Sequence, residues 1–188
     1  MFILYAIVIG LVVGRLTGGR LERLAEVRFR WAPLAFGGVI VQLILFFPAV
    51  AEALSGMAAL AVALYVGSTV AVLAVVVRNV RLTGLPIVAV GAGLNLAATL
   101  ANGGLMPATP EAMAAAGVTP EHGFAAGSVT SDPALPWLVD RFALPSWLPL
   151  ANVFSVGDVL IGVGIAVAVA AAMHARTAAV TSAAPASR

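Results

Sequence analysis

Five long runs of apolar residues divide the chain, and the polar residues are gathered between them. Each run is long enough to cross the roughly 30 Å hydrocarbon core of a bilayer as a helix that rises about 1.5 Å per residue. The pattern predicts an all-α integral membrane protein with five transmembrane helices in a single domain, residues 1–176, followed by a disordered tail, residues 177–188. The predicted spans are residues 2–18, 32–51, 56–77, 84–101 and 153–173.

The composition supports a membrane protein and excludes several kinds of chemistry. Hydrophobic residues make up 62% of the 188 positions and charged residues 10%, whereas soluble domains contain about 45–50% and about 25%. The chain has no cysteine, which excludes disulfides and thiolate nucleophiles. All the basic charge comes from ten arginines that lie beside apolar runs. The basic balance therefore indicates a lipid bilayer as partner and no nucleic acid.

The arginines predict the orientation in the membrane. Nine of the ten fall on one side of the predicted spans, and only Arg141 falls on the other side. Basic residues accumulate on the cytoplasmic side, so we expect the N-terminus outside and the C-terminus inside a multi-pass protein of the cytoplasmic membrane. The nine are Arg15, Arg20, Arg23, Arg28, Arg30, Arg78, Arg81, Arg176 and Arg188.

Two segments between the spans carry further predictions. Residues 19–31 space apolar and basic side chains as an amphipathic helix on the inner surface, which either rests on anionic lipid or docks a partner. The outer loop, residues 102–152, is far longer than an ordinary connection, and such loops tend to be functional or disordered. Within it, Thr109 is suited to cap a helix that Gly117 ends, and a second T-P-E sequence follows at Thr119.

Asp158 is the only carboxylate inside a predicted span. A charge at the centre of a membrane helix costs roughly 2.5–3.5 kcal/mol on insertion scales, so such a residue is a functional-site hypothesis. A structural alternative is that the fifth helix begins later than residue 153. Asp158 would then be a first-turn carboxylate that the helix dipole stabilises.

Polar residues from three separate stretches are expected at one depth near the outer face. If Asp140 and Asp158 converge, they would share a proton, because like charges a few ångströms apart do not both ionise. One acid and one base around a water are able to hydrolyse an amide, so these two are the candidate catalytic residues. Two carboxylates are few ligands for a metal, and no metal or cofactor is predicted. The candidate ligand-binding residues are Asn95, Asn102 and Ser155.

Three of these side chains have structural alternatives. Asp140, which stands beside Arg141, is of a kind that is often a solvated loop charge. An asparagine such as Asn95 in a span often joins helices by hydrogen bonds. The sequence Asn102-Gly103-Gly104 is also typical of a helix end followed by a turn.

Three segments carry a first resemblance to known proteins. They are G-R-L…L-A-E-V-R-F-R-W after the first span, G-L-N-L…A-N-G-G-L-M-P at residues 93–107, and V-F-S-V-G-D-V-L-I at residues 153–161. Through these segments nearly the whole chain resembles a bacterial family of membrane proteins of unknown function.

A second, local resemblance covers residues 138–164. This stretch is similar to the C-terminal part of signal peptidase II, the membrane aspartic peptidase that trims prolipoproteins. Val139 and Asp140 match its first aspartate motif, and G-A-G-L-N-L around Asn95 resembles its G-N-L motif. The residues that match its second motif, F-N-x-A-D-x-x-I-x-x-G, are Phe154, Val156, Asp158, Ile161 and Gly164.

The resemblance implies that Asp140 and Asp158 are a catalytic pair, but the chain departs from the family pattern. Ser155 stands where the motif has asparagine, the Asp-Arg that follows G-N-L is missing, and five spans are predicted where that family has four. Whether the protein is an enzyme therefore stays open at this point. The first interpretation is binding of a lipid, a peptide or a membrane-protein partner at an outer-leaflet polar pocket, and the alternative is an aspartate-dyad membrane hydrolase.

Overall fold

The computed structural model describes residues 2–117 and 129–175. The second T-P-E sequence at Thr119, the predicted tail, Arg176 and Arg188 lie outside the described residues.

The described chain is mostly helical. Besides seven α-helices it contains one 3₁₀ helix, Leu21–Glu26, and two short strands, β1 (Phe142–Ala143) and β2 (Val153–Phe154), which pair antiparallel. The α-helices are α1 (Phe2–Leu16), α2 (Ala32–Leu45), α3 (Pro48–Ala53), α4 (Ala58–Arg78), α5 (Leu85–Ala101), α6 (Pro110–Ala116) and α7 (Val156–His174).

Two of the helices, α4 and α7, are long and apolar enough to cross a membrane. The helices α1, α2 and α5 are also apolar but shorter. The second predicted span, residues 32–51, differs most from the structure, because α2 ends at Leu45 and Pro48 starts the separate helix α3. Proline lacks the N–H that an uninterrupted helix would need there. The 14 residues of α2 span only about 21 Å.

The fifth apolar run becomes helical later than the sequence pattern predicts. Val153 and Phe154 form β2, and α7 begins at Val156. The cause is a local helix-start signal, because Ser155 has extended backbone angles and caps the helix through its side chain. Asp158 is therefore a first-turn residue, which is the structural alternative given above.

The apolar helices pack in a row in the order α2, α4, α5, α7, α1. The helices α1 and α2 are consecutive in the sequence but lie at opposite ends of this row. The segment that connects them contains the 3₁₀ helix, which packs against α7. That segment was predicted as an amphipathic α-helix. Only six of its residues are helical, and their 3₁₀ form has no buried residue.

The α5–α7 contact is made close by glycines. Gly84, which directly precedes α5, and Gly91 within α5 face Gly164 and Gly157 on α7. A Cβ added at Gly164 would lie 2.7 Å from the carbonyl oxygen of Gly84. Gly84 and Gly91 are seven residues apart in the sequence, as are Gly157 and Gly164, and seven residues make about two helical turns. Close approach of backbones through small residues is how helices associate without bulky side chains between them. The same contact places the polar residues of α5 beside the start of α7.

Candidate functional site

Asp158 and Ser155 form a capping box at the start of α7. The backbone N–H of Asp158 donates to Ser155 Oγ at 3.0 Å, and the backbone N–H of Ser155 donates to Asp158 Oδ2 at 3.0 Å. Ser155 is completely buried. Each side chain thus satisfies an N–H group that the first helical turn leaves without a partner. The orientation of the Asp158 carboxylate is consequently fixed from its own helix.

Asn95 links α5 to this cap. Its amide Nδ2 donates to Asp158 Oδ1 at 2.8 Å, and its Oδ1 lies 2.8 Å from Ser155 Oγ. Ser155 Oγ also lies 3.1 Å from Asp158 Oδ2, but a hydroxyl has one hydrogen to donate. The shorter contact assigns that hydrogen to Asn95. The three side chains form a closed hydrogen-bonded group in which Asp158 is the acceptor.

A short strand pairing brings the long loop to the same place. Phe142 of β1 lies opposite Phe154 of β2, and their rings stack with centroids 5.6 Å apart. Asp140 lies two residues before β1 begins, and Ser155 directly follows β2. The pairing therefore sets Asp140 beside the first turn of α7.

The backbone of Asp140 is held by a second set of contacts. Its N–H donates to the carbonyl of Pro107 at 2.9 Å, and its carbonyl accepts from the N–H of Thr109 at 3.0 Å. The preceding Val139 is fully buried. Thr109 also caps α6, which starts and ends as the sequence pattern predicts, with Gly117 left-handed at its end. These backbone hydrogen bonds hold the loop between α5 and α7 in place at Asp140.

The carboxyl group of Asp140 lies beside Asp158. The pKa of Asp140 rises from 3.8 to about 7. Burial is the largest cause of this rise, followed by the negative charge of Asp158 and the hydrogen-bonding interaction with it. Oxygen Oδ1 of Asp140 is buried and has no hydrogen-bond partner among the described residues.

The arrangement separates the two aspartates into different chemical roles. Asp140 binds a proton near neutral pH, while Asp158 accepts hydrogen bonds from Asn95 and from the Ser155 backbone. A buried oxygen without a protein partner, such as Asp140 Oδ1, is suited to a donor group from a ligand. An adjacent proton donor and proton acceptor are the requirements of general acid–base chemistry.

Asn102 is placed differently from the other candidate residues. Its Nδ2 donates to the carbonyls of Ala98 at 2.8 Å and Ala134 at 2.9 Å, and its Oδ1 accepts from the N–H of Ala134 at 2.8 Å. Both amide hydrogens are used, so no donor is left for a ligand. Asn102 clamps the loop to the end of α5, whereas the structure brings the other four candidates together.

Tyr65 is a further polar residue near the site that no sequence motif marks. This α4 residue lies within electrostatic range of both Asp140 and Asp158, and its hydroxyl is within hydrogen-bonding range of Thr99. The sequence signal for Tyr65 was its position along α4, seven residues after the start of the helix and therefore about 10 Å along it. No group of three or more His, Asp or Glu side chains in the described part of the chain could hold a metal ion.

Replacing Gly157 by Ala is expected to disturb the site through packing. The added Cβ would lie 2.7 Å from the carbonyl oxygen of Gly91 and still closer to Asn95 Oδ1. We expect α5 and α7 to separate, at a cost of about 1–3 kcal/mol in the free energy of unfolding, measured by SDS denaturation in mixed micelles. Gly93→Ala on α5 is the control, because its Cβ would meet no atom within 4 Å. Equal stability of the two variants would contradict this packing role.

Comparisons with known proteins give one match. A family described as "Family of unknown function (DUF5317)" matches residues 26–170, which include all five candidate site residues. No curated protein and no solved structure matches the chain. The matched region covers most of the sequence, and the chain therefore belongs to this family of unknown function, DUF5317.

Proposed function

We propose that the chain is a multi-pass protein of the bacterial cytoplasmic membrane, with five crossing helices, the N-terminus outside and the C-terminus inside. The outward faces of the end helices support a lipid environment, since Phe36 and Leu43 of α2 are 70% and 67% exposed. Monomeric soluble proteins rarely leave such large apolar patches in water. The arginine asymmetry supports the orientation.

Single cysteines test this topology, because the chain has none of its own. Ser55, Thr83 and Ser131 are exposed positions in three different connections between helices. With a membrane-impermeant maleimide on intact cells, we expect labelling of Ser55→Cys and Ser131→Cys. Thr83→Cys should react only after the membrane is permeabilised. Labelling of Thr83→Cys in intact cells would contradict the orientation.

The proposed activity is hydrolysis of a peptide bond at the outer membrane boundary by the Asp140–Asp158 pair. The observation that carries it is the position of the Asp140 carboxyl group, largely buried and beside Asp158, whose negative charge helps to raise the pKa of Asp140 to about 7. Carboxyl pairs that share a proton supply both an acid and a base at neutral pH. The resemblance to signal peptidase II favours a membrane-anchored precursor peptide, such as a prolipoprotein, as the substrate.

The chemistry assigns one step to each carboxyl group. Asp158 accepts a proton from a water as the water oxygen attacks the peptide carbonyl carbon, while Asp140 donates its proton to the carbonyl oxygen. The C–N bond then breaks, and the amine leaves with the proton held by Asp158. The hydroxyl proton returns to Asp140 as the new carboxylic acid forms. Asn95 and Ser155 hold Asp158 in position through their hydrogen bonds.

The activity is tested with the full chain in phospholipid vesicles and a prolipoprotein precursor peptide that carries a fluorophore and a quencher across its cleavage site. We expect cleavage at neutral pH and inhibition by a peptide with a hydroxyl-bearing, non-cleavable isostere, because transition-state analogues bind more tightly than substrates. Absence of cleavage by correctly inserted protein would contradict hydrolysis of this substrate class.

A second candidate function is binding without catalysis, at the same outer-leaflet pocket. The capping box favours it, because the hydrogen bonds of Asp158 with Ser155 are sufficient to explain why a carboxylate stands there. The departures from the peptidase motif, including Ser155 in place of asparagine, agree with a lost or different activity. A binding protein would retain the precursor peptide intact, so the same assay, read by peptide co-purification, separates the two functions.

A further inference from the structure

The inner end of the helix row contains a second feature that the outer site does not explain. Trp31 precedes α2 with φ 61° and ψ 27°, the left-handed conformation that bulky residues rarely adopt. Its side chain is 55% exposed. With Pro33 and Leu34 it lines a shallow and widely open apolar groove. Strained backbone at an exposed aromatic residue is a reason to look for a bound ligand.

The strained turn is held from α4 by a buried asparagine. The N–H of Arg30 donates to Asn79 Oδ1 at 2.8 Å, and Asn79 Nδ2 donates to the carbonyl of Arg30 at 2.8 Å. A third bond from the same Nδ2 reaches the carbonyl of Val75, also at 2.8 Å. The side chain of Asn79 thus bonds both the N–H and the carbonyl of Arg30. These bonds fix the residue before Trp31 relative to the end of α4.

A cation lies over the indole ring. The guanidinium carbon of Arg78 is 5.8 Å from the centre of the Trp31 ring, within the range of a cation–π contact. Arg28 and Arg81, which are exposed, flank the two segments in sequence. The groove therefore has an apolar wall and, at Arg78, a cationic rim.

We propose that this groove is a binding site for one anionic phospholipid of the inner leaflet. An acyl chain lies along Trp31, Pro33 and Leu34, and the phosphate is held by Arg78. The charge of the rim and the apolar wall together fit an amphiphilic anion, and basic pockets on the cytoplasmic side of membrane helices bind such headgroups. Tryptophan at headgroup depth suits the same position. The site rests on the proposed membrane orientation and is independent of hydrolysis at the outer site.

The site is tested by fluorescence quenching from lipids with brominated acyl chains. In a Trp137→Phe, Trp147→Phe background, Trp31 is the only tryptophan. The protein is placed in phosphatidylcholine vesicles that contain the same minor fraction of either brominated phosphatidylglycerol or brominated phosphatidylcholine. We expect stronger quenching by the anionic lipid. Arg78→Gln should reduce the preference about fivefold, the effect of one basic residue near an anionic lipid, and Arg78→Lys should restore most of it.

Arg15→Gln is the matched control, because it removes one exposed arginine from the same proposed side at the end of α1. Equal quenching by the two lipids in the unmodified protein would overturn the site. Equal losses in Arg15→Gln and Arg78→Gln would also overturn it, since they would indicate diffuse charge attraction. Failure of the membrane placement gives a different result, in which neither lipid quenches Trp31.

Discussion

Asp158→Asn is expected to lower the turnover of the precursor peptide by about 10²–10⁴-fold, the usual contribution of a general acid or base. Asn has nearly the same shape and still offers one oxygen to the N–H of Ser155, but it does not accept a proton from water. Asp140→Asn should cause a similar loss, because it removes the proton donor. In the unmodified protein kcat/KM should fall above about pH 7, as Asp140 loses its proton.

Two controls distinguish a loss of catalysis in these variants from a loss of folded protein. Asp132→Asn changes an exposed carboxylate of the same loop, and its turnover should match that of the unmodified protein. The fold of each variant is checked by SDS denaturation. Full turnover in Asp158→Asn would contradict the hydrolase. A variant that changes mainly in stability or peptide retention would support the binding function, since Asn is easier than Asp to bury in lipid.

The stability of the protein is expected to fall as the pH rises from about 4 to about 8. The folded-state pKa of Asp140 is raised to about 7 from the ordinary 3.8, so the folded protein keeps a proton that the unfolded chain releases in this window. Stability from this group is fully present below about pH 4 and is lost as the pH rises through about 7. At about 1.4 kcal/mol per pKa unit, the loss is on the order of 4 kcal/mol.

The free energy of unfolding in mixed micelles across this pH range measures the effect. Asp140→Asn should remove most of the pH dependence, because the amide does not titrate. Asp132→Asn should keep it. If Asp140→Asn and the unmodified protein show the same slope, the buried carboxyl group is not the cause.

The helices could be predicted from sequence because a run of apolar residues is a local property. The ends of the helices were harder to predict, because Pro48 and the capping box at Ser155 involve only one or two residues within an otherwise apolar stretch. The start of α7 matters most, because it moves Asp158 from inside the predicted span to the first turn. There its carboxylate satisfies a backbone N–H.

The candidate site was predictable only in part. Helix direction and the 1.5 Å rise were enough to place Asn95 and Asp158 at similar depth, and the structure joins them by a 2.8 Å hydrogen bond. The position of Asp140 depends on the β1–β2 pairing and on contacts with Pro107 and Thr109. These contacts join residues distant in sequence, and no periodic pattern marks them. The strained Trp31 is unpredictable for the same reason, since Asn79 at the end of α4 holds the neighbouring residue Arg30 by hydrogen bonds.

Infrared difference spectroscopy of the carboxyl C=O stretch during a pH titration tests, without any substrate, whether Asp140 and Asp158 share one proton. A shared proton predicts a protonated carboxyl band that disappears near pH 7 and is absent from Asp140→Asn. In Asp158→Asn the band should titrate at lower pH, because the charge of Asp158 no longer raises the pKa of Asp140, although burial still does. A band that is missing at about pH 6, or that titrates unchanged in Asp158→Asn, would contradict the shared proton.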